Sequence, residues 1–266
     1  MKIKDLIFQN FKKECELLIA NEYNRDRIWV HLNLDFELDS DKEEILRFKI
    51  NKLQNNFPFE YLLGYASFYS QDFFVSENVL IPRPETEILV DLAIGVARNY
   101  NITKIAEIGS GSGIISICLA QNLQDSFIVS GDINDFALEL SQKNKQKFGV
   151  NNVKFVKSDL FENLGSDIEL LVSNPPYIQN NIELPKNVMY EPSSALFGGE
   201  SGDEILKKII DGCFERKIRF LICEMGFDQK DAISNYVKNF KTKNLSFYKD
   251  LAGFDRGFFI EFDFGV

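Results

Sequence analysis

Apolar positions at the start of the chain recur at helical spacing: Leu6, Ile7, Phe11, Leu17, Leu18 and Ile19 fall at steps of three and four. Ser40 followed by Glu43 has the form of a capping box ahead of Ile45, Leu46 and Phe48. Residues 1–66 are therefore predicted to form a small helical bundle. Between Ser67 and Pro82 the texture changes to short aromatic and β-branched runs. Phe73 to Val75 and Val79 to Ile81, separated by Ser76-Glu77-Asn78, predict a β-hairpin linker over 67–84. Beyond it the period alternates. A helix from Glu85 to about Tyr100 precedes strands at Thr103–Ile108, Phe127–Asp132, Val153–Lys157, Ile168–Ser173 and Ile218–Glu224. Helices are predicted after Gly113 and over Phe136–Lys147, Asp203–Glu215 and Asp228–Phe240. Strand and helix taking turns specify an α/β fold for 85–266, with a parallel sheet covered on both faces. The closing strands, Leu245–Lys249 and Gly257–Asp263, have no full helix between them, so an antiparallel edge strand is expected.

Length and charge narrow the class. The 266 residues suit a main domain of about 180 residues with a smaller appendage. A hydrophobic fraction of 45% with 25 Phe supplies an ordinary core. The formal net charge of -10 argues against affinity gained by neutralising nucleic-acid phosphates and fits a basic or locally basic partner. Cys15, Cys118, Cys213 and Cys223 show no paired spacing, so neither a zinc site nor a disulfide framework is expected. No run approaches the roughly 18 apolar residues of a membrane span, and a soluble, cytoplasmic, monomeric protein without metal is the expectation.

Two motifs carry chemistry. Glu107-Ile108-Gly109-Ser110-Gly111-Ser112-Gly113 stands where the first predicted strand of the α/β region turns into a helix, and its glycines let the backbone approach a flat polar ligand and take positive φ. The spacing is neither the dinucleotide G-x-G-x-x-G nor a P-loop, which leaves S-adenosylmethionine, a nucleotide or a tight structural turn. Asp132, 19 residues after Gly113, ends the next strand where a carboxylate can accept both ribose hydroxyls, which strengthens the case for an adenosine-containing cofactor. Ser158-Asp159-Leu160 ends the third strand near the expected adenine, with Leu160 as the apolar contact.

Asn174-Pro175-Pro176-Tyr177 follows the apolar run Leu170-Leu171-Val172, at the carboxyl end of the sheet where open α/β folds bind ligands. A specified string with two prolines arises by chance about once in a thousand chains of this size. The lone pair of a carboxamide nitrogen is delocalised into its carbonyl, so methylating it requires acceptors that turn the NH2 group. The Asn174 side-chain oxygen and the Pro175 carbonyl can each accept one N–H. Pro175 and Pro176 stiffen this edge and remove two donors, and Tyr177 is expected to offer an aromatic face to the amide. No general base or activated cysteine is apparent, and His31 reads as structural.

With these motifs, Tyr61 to Gly64, Val79 to Glu87, Glu191 to Gly199 and Asp250 to Arg256 make the chain resemble the HemK/PrmC family of protein-(glutamine-N5) methyltransferases over nearly its whole length. The resemblance implies a class I S-adenosylmethionine-dependent methyltransferase fold behind an N-terminal helical bundle that recognises substrate. It implies as acceptor the glutamine of the Gly-Gly-Gln motif in peptide chain release factors, a protein partner rather than nucleic acid or membrane. It assigns cofactor contact to Glu107, Gly109, Ser110, Gly111, Ser112, Gly113, Asp132, Asp159, Leu160 and Asn174. Substrate contact falls to Asn174, Pro175, Pro176 and Tyr177, with Arg83, Pro84 and the stretch on to Thr86 bordering the site. Leu160 stands where some members carry an aromatic residue, and Glu200-Ser201-Gly202-Asp203 departs from the usual acidic-glycine pair. Competing readings are a ribosomal-protein glutamine methyltransferase, a DNA amino-methyltransferase, which meets the same NH2 chemistry on a flipped base, and, from a different class, a nucleotide-binding oxidoreductase or a non-catalytic regulator.

Overall fold

Helices Lys12–Glu22 (α1), Arg27–Leu32 (α2), Ser40–Gln54 (α3) and Phe59–Leu63 (α4) form around a core of their own in the computed structural model, which describes residues 1–265. Cys15, Leu18 and Ile19 on α1 are fully buried with Val30 and Leu46. This unit comprises Met1–Ala66 and, from much later in the chain, Leu184–Tyr190. The Tyr190 ring lies 5.0 Å from that of Phe57, edge on. The capping box expected at Ser40 is not formed. Asp39, in extended conformation, precedes α3, and the Glu43 carboxylate is drawn one turn onward to Arg47 Nε at 2.9 Å.

The second unit, from Ser67 to Glu183 and from Glu191 onward, holds the sheet. The hairpin lies earlier than expected: Tyr65–Phe68 (β1) pairs with Gln71–Phe74 (β2). The reason is the turn, because Tyr69 and Ser70 both take positive φ, 53° and 59°, the geometry of a two-residue hairpin loop. Val79 to Ile81 is no strand. Val79 is buried against Ala137 and Leu140, and the Ile81 N–H is donated to the Glu191 carboxylate at 2.9 Å.

Thr86–Tyr100 (α5) leads into Lys104–Ile108 (β3), Ile114–Asn122 (α6), Phe127–Asp132 (β4), Asp135–Phe148 (α7), Val153–Lys157 (β5) and Leu170–Ser173 (β6). Two short strands, Ile178–Gln179 (β7) and Phe197–Gly199 (β8), pair in parallel with each other. Glu204–Glu215 (α8), Phe220–Glu224 (β9), Lys230–Val237 (α9), Thr242–Lys249 (β10) and Asp255–Phe262 (β11) complete the unit. Helix α9 is shorter than its periodicity suggests, since past Val237 the amides of Asn239 and Phe240 bond back only three residues, to the carbonyls of Tyr236 and Val237.

The seven-stranded sheet runs β10-β11-β9-β6-β3-β4-β5. Strands β9, β6, β3, β4 and β5 are parallel, while edge strand β10 pairs antiparallel with β11, which is itself antiparallel to β9. Alternate residues feed opposite layers. Ile105, Leu170 and Ile222 join the core with Leu89 of α5 and Ile117 of α6. Ala106, Leu171 and Leu221 join the core with Leu206 and Ile209 of α8 and Ile233 of α9. From β3 the chain proceeds outward to β4 and β5 and then returns to β6 on the other side of β3. The order thus reverses at β3/β6, where the carboxyl ends of the strands leave a crevice. Among the described residues no helix is long and apolar enough to cross a membrane.

Candidate active site

The loop from β3 into α6 is held by backbone. Gly109, Gly111 and Gly113 have φ of 81°, 51° and 84°. The amides of Gly109 and Ser110 both bond the Gly131 carbonyl at the end of β4, at 2.8 and 3.1 Å. At Gly113 a Cβ would meet Phe155 and Ser141 at 3.0 Å each, so a glycine is required by both conformation and packing. Behind the loop, buried Asn144 of α7 donates to the Ser112 carbonyl at 2.8 Å while bonding both backbone groups of Phe74, which ties loop, helix and hairpin together.

Asp132 closes this side. One carboxylate oxygen accepts from the Gly111 amide at 2.8 Å and the Ser110 hydroxyl at 3.3 Å, the other from the Asn134 amide at 2.8 Å. Burial pushes its pKa up and these donors pull it back. The helix cap belongs to Asn134, whose side chain accepts from the Phe136 amide.

The crevice holds a cavity of about 410 Å³, and its walls contain Gly109, Gly111, Asp132, Asp159, Leu160, Asn174, Pro175 and Pro176. Both predicted motifs therefore face one space, with Leu80, Ile133 and Phe197 as apolar walls. A recess of about 40 Å³ beside it is bordered by Glu107, Ser110, Ser112, Arg83, Thr86 and Asn174. Glu107 is completely buried. One of its oxygens accepts from the hydroxyls of Ser116 and, at 2.6 Å, Ser130, while Oε1 has no hydrogen-bond partner among the described residues. Burial raises its pKa to about 8.

The Asn174–Tyr177 loop rests on glycines of another kind. A Cβ on Gly198 would lie 2.6 Å from the Pro176 carbonyl oxygen, and one on Gly202 2.6 Å from that of Tyr177. The run from Glu191 to Gly202 thus seats the Asn174–Tyr177 loop through β7 and β8. Asp203 accepts from Ser201 at 2.8 Å and Glu204 accepts the Ser201 amide at 2.9 Å, so the unusual Glu200–Asp203 stretch keeps a closed turn.

Three expected residues, Gly113, Tyr177 and Pro84, line neither space. Tyr177 is not in the cavity wall. Its ring packs with the α8 and α9 core, and its hydroxyl donates to the buried Glu224 carboxylate at 3.1 Å, so its aromatic face is committed to packing. Arg83 borders only the recess and is ion-paired to buried Glu191 at 2.5 Å. Pro84 is exposed and outside both spaces, its carbonyl accepting the Glu87 amide at the start of α5. Sequence reasoning missed Glu224 entirely and placed Thr86 only at the border of the site, where it lines the recess. Thr86 Oγ1 lies 2.8 Å from Glu224 Oε2 and receives Asn174 Nδ2 at 3.1 Å. An acid at the carboxyl end of β9 was the only available signal. The four cysteines are buried, and burial drives the thiols of Cys213 and Cys223 far up, which removes them as nucleophiles.

Comparison with known proteins agrees with this geometry. Residues 87–191 match the family model of the methyltransferase small domain. The fold is similar to that of the hMettl16 catalytic domain, with a TM-score of 0.60 at 13% identity over 86% of this chain and 83% of that one. It is similar also to a ribosomal protein L11 methylase from Lactobacillus delbrueckii, with a TM-score of 0.50 at 16% identity over 75% and 90%. A parallel sheet reversing at β3/β6, with a glycine loop and Asp132 at its mouth, defines a class I S-adenosylmethionine-dependent methyltransferase. The chain is 32% identical to the release factor glutamine methyltransferase of Clostridium botulinum over 96% of its own length and 98% of that protein, and 33% identical to that of Francisella tularensis over 92% and 88%. It belongs to the release factor glutamine methyltransferase family.

Proposed function

We propose that this chain transfers the methyl group of S-adenosylmethionine to the side-chain amide nitrogen, N5, of the glutamine in the Gly-Gly-Gln motif of peptide chain release factors. The observation that carries the reading is that Asn174 and Pro175 share one cavity with Gly109, Asp132 and Leu160. A methyl group on a positively charged sulfur is what the cofactor supplies when bound.

The residues fit that cofactor. Asp132 has one acceptor site left for a ribose hydroxyl, since a carboxylate offers about four and three are in use. Leu160 and Ile133 give the adenine apolar contact beside Asp159. The orphaned Glu107 Oε1, buried at the recess, calls for a cation, and the ammonium of the cofactor's methionine part is one.

On the other wall, Asn174 Oδ1 and the Pro175 carbonyl accept the two N–H bonds of the incoming carboxamide. This holds the nitrogen lone pair out of conjugation and aims it across the cavity. Tyr177 is no base, because burial and the neighbouring Glu224 carboxylate hold its phenol protonated. The proton leaves after the methyl group has arrived, when the amide nitrogen is cationic and acidic.

The helical unit recognises the protein substrate in this reading, and the acidic net charge favours a basic protein over nucleic acid. Incubation with labelled S-adenosylmethionine and purified, unmethylated release factor, followed by peptide mass mapping, is expected to add one methyl group to that glutamine. Label on DNA, or on a ribosomal protein alone, overturns the assignment.

A further inference from the structure

Asn174 can help only if its oxygen, not its NH2 group, faces the incoming amide, since two NH2 groups set against each other offer donors and no acceptor. A carboxamide is nearly symmetric in shape, so packing cannot choose between the two orientations. A hydrogen-bond partner of fixed polarity can.

We propose that Thr86 and Glu224 form a relay that sets the Asn174 side chain with Oδ1 toward the acceptor cavity, making both of them positioning residues for methyl transfer. The inference rests on the acceptor role given to Asn174 above. Thr86 is completely buried and Glu224 is 1% exposed, so water does not compete for their bonds. An ionised carboxylate only accepts. Its two oxygens take the hydroxyl protons of Thr86, at 2.8 Å, and Tyr177, at 3.1 Å. Having spent its one proton on Glu224, the Thr86 hydroxyl presents only lone pairs to Asn174. It therefore receives Nδ2, at 3.1 Å, and leaves Oδ1 for the cavity. Thr86 lies at the start of α5, Glu224 at the end of β9 and Asn174 just beyond β6, so three elements converge on one carboxamide.

The relay depends on the charge of Glu224. Around that carboxylate stand Glu85 and Thr86 from the α5 start, Tyr177 from the acceptor loop, Cys223 from its own strand, Tyr248 from β10 and Arg256 from β11, the last also paired with Asp250 at 2.8 Å. Burial raises the pKa of Glu224 to about 7, against the pull of the Thr86 and Tyr177 hydroxyls and the Arg256 charge. Once protonated, Glu224 can donate to Thr86, Thr86 then donates to Asn174, and the carboxamide turns its oxygen inward. Turnover should therefore rise with pH through an inflection near 7 and level off above it.

The test uses the full chain, S-adenosylmethionine and unmethylated release factor. Thr86→Val keeps the shape and removes the hydroxyl, while Thr86→Ser keeps the hydroxyl. For Thr86→Val we expect kcat to fall about 10- to 100-fold, with release-factor KM and cofactor Kd within about threefold of wild type. The inflection near pH 7 should vanish. Thr86→Ser should restore both kcat and the inflection. Tyr177→Phe, which removes the other donor to Glu224, should move the inflection to higher pH. An active wild-type enzyme with a flat kcat profile between about pH 6 and 8 overturns the relay without any variant. So does wild-type kcat in Thr86→Val, or an equal loss in Thr86→Ser. Absence of methyl transfer by the wild type instead overturns the function proposed above.

Discussion

The two walls of the cavity are built from different materials. The wall of Gly109, Gly111 and Asp132 is made of backbone: amides bonded to the Gly131 carbonyl and to one carboxylate, over a short stretch of β3, β4 and the loop between β3 and α6. The wall of Asn174 and Pro175 is made of side chains that meet from afar, with Thr86 and Glu224 separated by 138 residues. A backbone cradle tolerates change in most of its side chains and fails when a glycine is lost. A side-chain relay tolerates motion of the chain around it and fails when one proton is misplaced.

The largest effect is expected on the relay side. Asn174→Ala should lower kcat by about 10²- to 10³-fold, the usual scale for losing an oriented transition-state contact, while cofactor affinity measured by calorimetry changes little. A comparable loss of affinity would show that the two walls are not separable. Next comes the cradle. Gly113→Ala places a Cβ at 3.0 Å from Phe155 and Ser141 with φ at 84°, and should cost about 2–3 kcal/mol of stability in denaturant unfolding, with weaker cofactor binding. Unchanged stability would mean the loop can relax.

Glu107→Gln should be milder, weakening cofactor binding about tenfold, roughly 1.4 kcal/mol. The sign with pH follows from its raised pKa of about 8. The buried acid binds a proton that the unfolded chain has already released, so stability of the cofactor-free protein falls as pH climbs from about 4.5 to about 8. Cofactor binding at pH 7 should release that proton. Calorimetry in two buffers of different ionisation enthalpy detects the release, and Glu107→Gln should diminish it. The smallest effect is expected for Arg83→Ala, which opens the ion pair with Glu191 and should cost about 1–2 kcal/mol in thermal unfolding, with kcat lowered only severalfold. A larger loss of kcat than of stability would place Arg83 closer to the substrate than its ion pair suggests.

Legibility in the sequence follows the same division. Strands β4 and β5 and the β3-to-α6 loop appear where alternation and glycine spacing put them, because each is fixed by neighbours in the chain. Asn174 to Pro176 were legible as cavity-lining residues because they follow an apolar strand at the carboxyl end of the sheet. Tyr177 was misread, since whether an aromatic ring faces a cavity or a core depends on α8 and α9, and its hydroxyl's partner arrives on β9. Thr86 and Glu224 were illegible as a pair for the same reason. The hairpin shifted because Tyr69 and Ser70, residues not typical of such turns, take positive φ where Ser76-Glu77-Asn78 looked better suited.

The return of Leu184–Tyr190 to the helical unit has a consequence for synthesis. A ribosome making this chain finishes α1 to α4 early, yet the aromatic pair of Phe57 and Tyr190 cannot close until β3 to β6 have already emerged. The first unit begun is thus among the later ones completed. A nascent chain stalled before Tyr190 would carry an open helical unit, and limited proteolysis of such stalled chains should find it more easily cut than in the finished protein.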